Sequence, residues 1–316
     1  MSHFAFEIWK GKKMRFKILP EEKTAPLFVA GAGICWGMIG LFSRNLLSGG
    51  YSSIQVTAAR CFVAVLALAI LLLLTERDAF RIRFADLWIF LGSGIISIVF
   101  FNICYFVAIR ETTLSTAAVL LYTAPFFVVV LSAIFFHERI TGKKAVALLT
   151  AFAGCVLTTG VLSGGEFAVS TLGILAGIGS GIGYGLYSIF GHVALQRYSS
   201  KTVTFYTFVV ALFALLPFCT PLDMVRMAAN DTHLLFHTVL LGIISTLAPF
   251  LLYTKGLAHM EAGKASVMAF IEPMVATILG ITVFQENVTL TGGIGILLIF
   301  AAVLLLNGKE KKEDEM

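Results

Sequence analysis

Glu272 is the residue best placed to do chemistry in this chain. It stands eight residues into an apolar run that opens near position 264, about 12 Å along a helix and so near the middle of a hydrocarbon layer roughly 30 Å thick. An ionised carboxylate facing lipid at that depth is costly, so it must face a cavity, pair with a cation or carry a proton. Two functional chemistries fit: holding a substrate ammonium group, or exchanging a coupling proton. A structural carboxylate held by a neighbouring helix is the alternative. Pro273 follows it and Pro125 occupies the matching place in an earlier run. Both are expected to kink their helices and free backbone carbonyls.

Trp36 and Tyr184 also lie at mid-depth in their runs, away from the interfacial belt where such rings usually collect. Each carries a polar hydrogen that needs a partner, and a cavity wall supplies one. Asn102, Tyr105, Tyr122, Tyr187 and Tyr253 are weaker candidates for the same wall; the alternative for them is helix-to-helix hydrogen bonding. Lys255 ends a run, where its stem could snorkel to the headgroups or reach toward Glu272. Arg60, six residues into another run, could likewise snorkel or bind a substrate carboxylate. Arg44 and His192 close two runs and read either as gates or as interfacial anchors. Glu138 and Glu286 follow the two proline-containing runs and read as solvated carboxylates near the start of the next helix.

The elements that must position these residues follow from composition. Of 316 residues, 58% are hydrophobic and 13% charged, with 28 phenylalanines, 29 glycines and a mean hydropathy of +0.93. Soluble chains carry about 25% charged residues, so the bulk solvent here is lipid. Apolar runs fall at about 25–46, 54–75, 87–109, 115–136, 144–162, 171–195, 203–220, 234–257, 264–285 and 289–307. Each is long enough to span a bilayer as a helix, and none alternates as a membrane barrel strand would. The expected fold is all-α, an integral membrane protein of ten transmembrane helices. The five cysteines lie inside these runs without CxxC spacing, so they read as small buried hydrophobes, with no metal site. Gly173, Gly177, Gly181 and Gly185 space small residues for close helix packing. They match no nucleotide-binding loop, and no GxxxxGK[ST] occurs, so no cofactor is expected.

The net charge of +5 does not form the single basic stripe of a nucleic-acid binder. Lys10, Lys12, Lys13, Arg15, Lys17, Lys23, Arg77, Arg81, Arg83, Arg139, Lys143, Lys144, Arg197, Lys201, Lys255, Lys264, Lys309, Lys311 and Lys312 fall on one side of the ten-span arrangement. Only Arg44, Arg110 and Arg226 fall on the other. The positive-inside rule then puts both termini in the cytoplasm and the chain in the cytoplasmic membrane. Met14 offers a second start, in which case residues 1–13 contribute nothing to the fold.

A duplication at one constant offset organises the chain. GAGICWG at 31–37 faces GSGIGYG at 179–185, and GIIS at 94–97 returns at 242–245. Tyr105 and Tyr253, Pro125 and Pro273, Phe136 and Phe284, Glu138 and Glu286, and Thr141 and Thr289 are all separated by the same 148 positions. The expected domains are a basic segment 1–24, five-helix repeats at 25–162 and 171–307, and a charged tail 308–316. Five spans are odd, so the second repeat is inverted relative to the first. Inverted repeats are characteristic of secondary transporters, whose two halves exchange conformations around a site at their interface. A membrane enzyme acting on lipid-linked substrates would need clustered catalytic side chains, and a channel a filter or charged ring; neither is evident.

With these residues in view, the chain resembles the EamA family of the drug/metabolite transporter superfamily. The likeness rests on the ten spans, the tryptophan-glycine segment of the first helix, and the proline followed thirteen residues later by glutamate in both halves. The resemblance implies a 5+5 inverted fold whose cavity is lined by the first, third, fourth, sixth, eighth and ninth helices. The fifth and tenth would be peripheral, where homodimers could form. It implies transport of a small molecule, commonly export of amino acids or related metabolites, with sugars, nucleosides or drugs as alternatives; a proton as coupling partner is the reading of Glu272.

Overall fold

The computed structural model describes residues 23–162, 170–287 and 289–308. The basic residues 10–17, the second start at Met14 and the lysines at 309, 311 and 312 lie outside them. The described residues are helical throughout, without strands. Among the described residues, nine helices are long and apolar enough to cross a membrane: α1 (Ala25–Ser48), α2 (Ser53–Thr75), α3 (Phe84–Glu111), α4 (Leu114–Phe136), α6 (Thr171–Leu195), α7 (Ser200–Phe218), α8 (Thr232–Leu257), α9 (Ala262–Thr282) and α10 (Leu290–Asn307). Between the fourth and sixth lies α5 (Gly142–Thr158), a 17-residue helix where the sequence placed a run to 162. It stops short because the chain turns at Gly160, whose φ of 70° is left-handed. A short amphipathic helix, Pro221–Asn230, precedes α8.

Large apolar side chains such as Phe62, Leu73, Ile134, Leu297 and Phe300 are exposed on the helices. An apolar surface of that extent belongs against lipid. The chain is a multi-pass membrane protein.

Several long helices are irregular where the duplication is strongest. The first GIIS lies within a π-helical stretch, Gly92–Phe100, and the second meets another, Ile243–Leu247. A methyl group on Gly94 would lie 2.6 Å from Val210 of α7, and one on Gly242 would lie 2.4 Å from Val63 of α2. Widened turns bring both glycines into backbone-close packing with a helix of the other half.

The same exchange governs α1 and α6. A methyl group on Gly37 would meet Val275 at 2.6 Å and the Glu272 carbonyl at 2.9 Å; one on Gly181 would meet Thr123 at 2.6 Å and the Leu120 carbonyl at 2.9 Å. Each glycine-lined helix therefore seats on the interrupted middle of a helix from the other half. The interruptions stand just before the prolines. α4 breaks at Tyr122–Thr123 and resumes as Ala124–Phe136; α9 breaks at Ala269–Phe270 and resumes as Ile271–Thr282. α5 and α10 pack on each other through Gly154 and Gly295.

Candidate functional site

The break in α9 positions Glu272. The helix resumes at Ile271, so Glu272 sits in its first turn, where the unsatisfied N–H groups favour a negative charge. Gly33 and Gly37 of α1 press against this turn, and from the facing α6 the Tyr184 hydroxyl donates to Glu272 Oε2 at 3.1 Å. Tyr122, at the break in α4, is the second phenol acting on this carboxylate, and the Arg60 guanidinium of α2 is the positive charge acting on it. Arg60 Nε is buried without a hydrogen-bond partner among the described residues. Glu272 thus has a polar partner, a neighbouring cation and partial exposure.

Beside it lies a cavity of about 540 Å³ that includes its open mouth. Trp36, Tyr122, Pro125, Tyr184, Tyr187 and Tyr253 line it, together with Ser97, Phe101, Ser188, Phe250, Ser266 and Phe270. Its wall is aromatic. The Trp36 ring stands 5.3 Å from both Phe250 and Tyr253 and 6.3 Å from Tyr184, centroid to centroid. Ser188 and Tyr253 share a hydrogen bond of 2.7 Å, whereas the buried Ser97 hydroxyl has no hydrogen-bond partner among the described residues. The aromatic faces suit a ligand with an apolar or aromatic body and a cationic group; Glu272 is not in the lining and meets the cavity through Tyr184.

Five of the aromatic candidates read from the sequence thus meet at one cavity, with Glu272 hydrogen-bonded to one of them. The others go elsewhere. Asn102 is outside the lining; its amide donates to the Ile98 carbonyl at 2.7 Å and its carbonyl faces Thr57 at 3.4 Å. Tyr105 is also outside, stacked against Phe101 and Phe106. Lys255 is exposed, with its ammonium 4.3 Å from the centre of the Phe28 ring. Arg44 pairs with Glu286 at 2.8 Å and covers the Phe284 ring at 3.9 Å. His192 is buried against Phe136, which corrects the interfacial-anchor reading.

The solvated reading of Glu138 is also overturned. Its side chain is 7% exposed, and it accepts the backbone N–H groups of Ala262 at 2.6 Å and Gly263 at 3.0 Å. It therefore caps α9, not the helix that follows it. Sequence reasoning missed Ser97, Ser188 and Ser266, whose single hydroxyls resemble any other helix serine. Ser97 alone had a signal, as the last residue of the repeated GIIS. Phe101, Phe250 and Phe270 were indistinguishable among 28 phenylalanines.

The pattern of the EamA-like transporter family matches residues 23–160 and again 171–308. An uncharacterized transporter of Archaeoglobus fulgidus is 31% identical over 275 residues, which is 87% of this chain and 93% of the relative. An uncharacterized inner membrane transporter of Salmonella typhimurium, YicL, is 23% identical over 87% of this chain and 92% of its own length. A solved structure at 20% identity superposes with a TM-score of 0.76, covering 90% of this chain and 96% of that one.

Proposed function

Since the chain belongs to the EamA-like transporter family, and is thereby a membrane transporter, we propose that it is a secondary carrier exporting small amine-bearing metabolites, amino acids or their relatives. The observation that carries this is Glu272, hydrogen-bonded to Tyr184 beside the aromatic cavity. Its carboxylate would receive the substrate ammonium group, the rings would receive the apolar part, and Arg60 would attract a substrate carboxylate. Proton coupling follows if proton and ammonium compete for the same carboxylate. Family membership favours this carrier over a membrane enzyme. A drug-like cation is the second reading, favoured by the predominantly aromatic wall.

The proposed topology takes α5 as a further span, since 17 residues reach about 26 Å. Ten spans then form repeats at 25–162 and 171–307, between a basic N-terminal segment at 1–24 and a charged tail at 308–316. The repeats are inverted, with both termini in the cytoplasm. The alternation of contacts between halves supports an alternating-access mechanism.

The decisive assay is uptake of labelled amino acids into liposomes carrying the purified protein, with and without an imposed pH gradient. Uptake above that of empty liposomes that follows the gradient supports the proposal. Its absence with folded protein moves the search to sugars, nucleosides and drugs. In the same assay Trp36→Ala should raise the apparent substrate KM about tenfold, the worth of one aromatic contact to a cation at a desolvated site. Expression should be unaffected; an unchanged KM would remove Trp36 from the site.

A further inference from the structure

α4 and α9 end alike. Phe136 is followed by His137 at φ 57° and then Glu138; Phe284 is followed by Gln285 at φ 54° and then Glu286. The Glu138 N–H donates to the Ser132 carbonyl at 3.3 Å, and the Glu286 N–H to the Gly280 carbonyl at 3.0 Å. Thr141 caps α5 through the Lys144 N–H at 3.2 Å, and Thr289 caps α10 through the Gly292 N–H at 3.1 Å. Even the stacked base is repeated, with His192 on Phe136 at 4.4 Å and Arg44 on Phe284 at 3.9 Å. All these pairs stand 148 positions apart.

The two glutamates, alike in type, differ in burial and in partner. Glu138 is buried and bridges two N–H groups at the start of α9, with Lys144 Nζ 3.6 Å away. Glu286 is 53% exposed and reaches sideways to Arg44. The positions matching Ala262 and Gly263 in the first half are Leu114 and Ser115, which open α4. Neither receives Glu286 here. Helix α9 has 21 residues, about 32 Å at 1.5 Å each. Glu138 grips its beginning and Glu286 follows its end, so the two carboxylates serve opposite ends of one membrane-length helix.

We propose that Glu138 and Glu286 are the two latches of an alternating gate. In the conformation described, Glu138 joins α4 to α9 and closes its end, while Glu286 is disengaged and leaves the other end free. In the opposite conformation Glu138 releases α9, and Glu286 leaves Arg44 for the N–H groups of Leu114 and Ser115. The bonds exchanged are alike, a carboxylate on two helix-start amides, while Lys144 beside Glu138 has Gly292 as its counterpart and tilts the balance toward the closed state described. The exposed Arg44–Glu286 pair is weak and screened by solvent, which makes its release easy. This inference rests on the inverted-repeat carrier reading and concerns how the site is opened, not what enters it.

Full-length protein lacking its native cysteines and carrying Ser266→Cys tests it. Ser266 lines the cavity in the α9 segment whose start Glu138 grips, and a membrane-impermeant maleimide added from the Glu138 side reads how often that side is open. Glu138→Gln should raise the labelling rate roughly tenfold through loss of a charge-assisted bridge. Glu286→Gln should lower it by a similar factor, because it weakens the opposite closed state. Glu286 is half-exposed, so the second variant keeps its fold even if the first does not. Opposite signs establish the gate. Equal signs, or no change in Glu286→Gln, overturn it. Labelling needs no substrate, so measurable uptake with unmoved labelling overturns the gate alone, and opposed labelling without uptake overturns only the substrate assignment.

Discussion

Glu272→Gln is expected to reduce transport of amine-bearing substrates about a hundredfold and to abolish the dependence of the remainder on pH. Truncating one partner of a desolvated charge pair typically costs about 2–5 kcal/mol, and each 1.4 kcal/mol is about a factor of ten. Glutamine retains the shape and can still accept the Tyr184 hydroxyl, which donates to Oε2 at 3.1 Å. It cannot balance an ammonium charge or release a proton. Protonation of the native carboxylate displaces the ammonium group, so acidification of the binding side should weaken binding in the wild type and leave the glutamine variant unaffected. Uptake into proteoliposomes between acid and neutral pH measures both effects. Retained uptake with unchanged pH dependence would reduce Glu272 to a structural carboxylate. Tyr184→Phe, which removes only the donor and leaves the charge, should weaken transport about tenfold or more, since one hydrogen bond to a charged group contributes about 1.5–3 kcal/mol, but unlike the glutamine variant it should keep the pH dependence.

Gly154→Val is expected to have the largest effect on stability. A methyl group there would lie 2.7 Å from the Gly295 carbonyl oxygen and 3.0 Å from the Ile299 nitrogen; one on Gly295 would lie 2.6 Å from the Gly154 carbonyl. The atoms that the added carbon meets here are backbone, so no rotamer change relieves these contacts. Valine must push α5 away from α10, at about 1–3 kcal/mol or more for overpacking, with the close packing of small residues lost as well. The melting temperature in detergent should fall by several degrees. Gly293→Ala, where an added methyl meets nothing within 4 Å, is the control and should shift it little. Equal melting of the two variants would show that the α5–α10 contact does not hold the fold.

Much of the architecture was legible because lipid simplifies the code. Most observed helix ends fall within three residues of the sequence runs, since hydrophobicity and length alone decide what can cross a bilayer. α5 is the exception, ending at Thr158 because the left-handed Gly160 stops it, and one apolar run does not reveal where backbone geometry terminates a helix. The aromatic candidates were legible by depth, because a polar-tipped ring far from the interface needs an internal partner. Asn102 met the same criterion and found its partners on Ile98 and Thr57 instead. Depth is set by position along a helix, but the direction of a side chain depends on the rotation of that helix against its neighbours.

That distinction divides the protein as a whole. The sequence by itself determined a lipid-embedded helical chain, its duplication at 148 positions and a carboxylate, Glu272, midway along an apolar run, all properties of residue type and spacing along one dimension. The tertiary structure alone decided that Tyr184 rather than Lys255 answers Glu272, that Ser97 is buried at the cavity with no hydrogen-bond partner among the described residues, and that Glu138 and Glu286 hold different partners. Two segments related by one repeat offset carry the same local signals. Which contacts each makes is decided by the packing of helices far apart in the chain, where an exposed ion pair and a buried helix cap differ by little in local sequence and by much in burial.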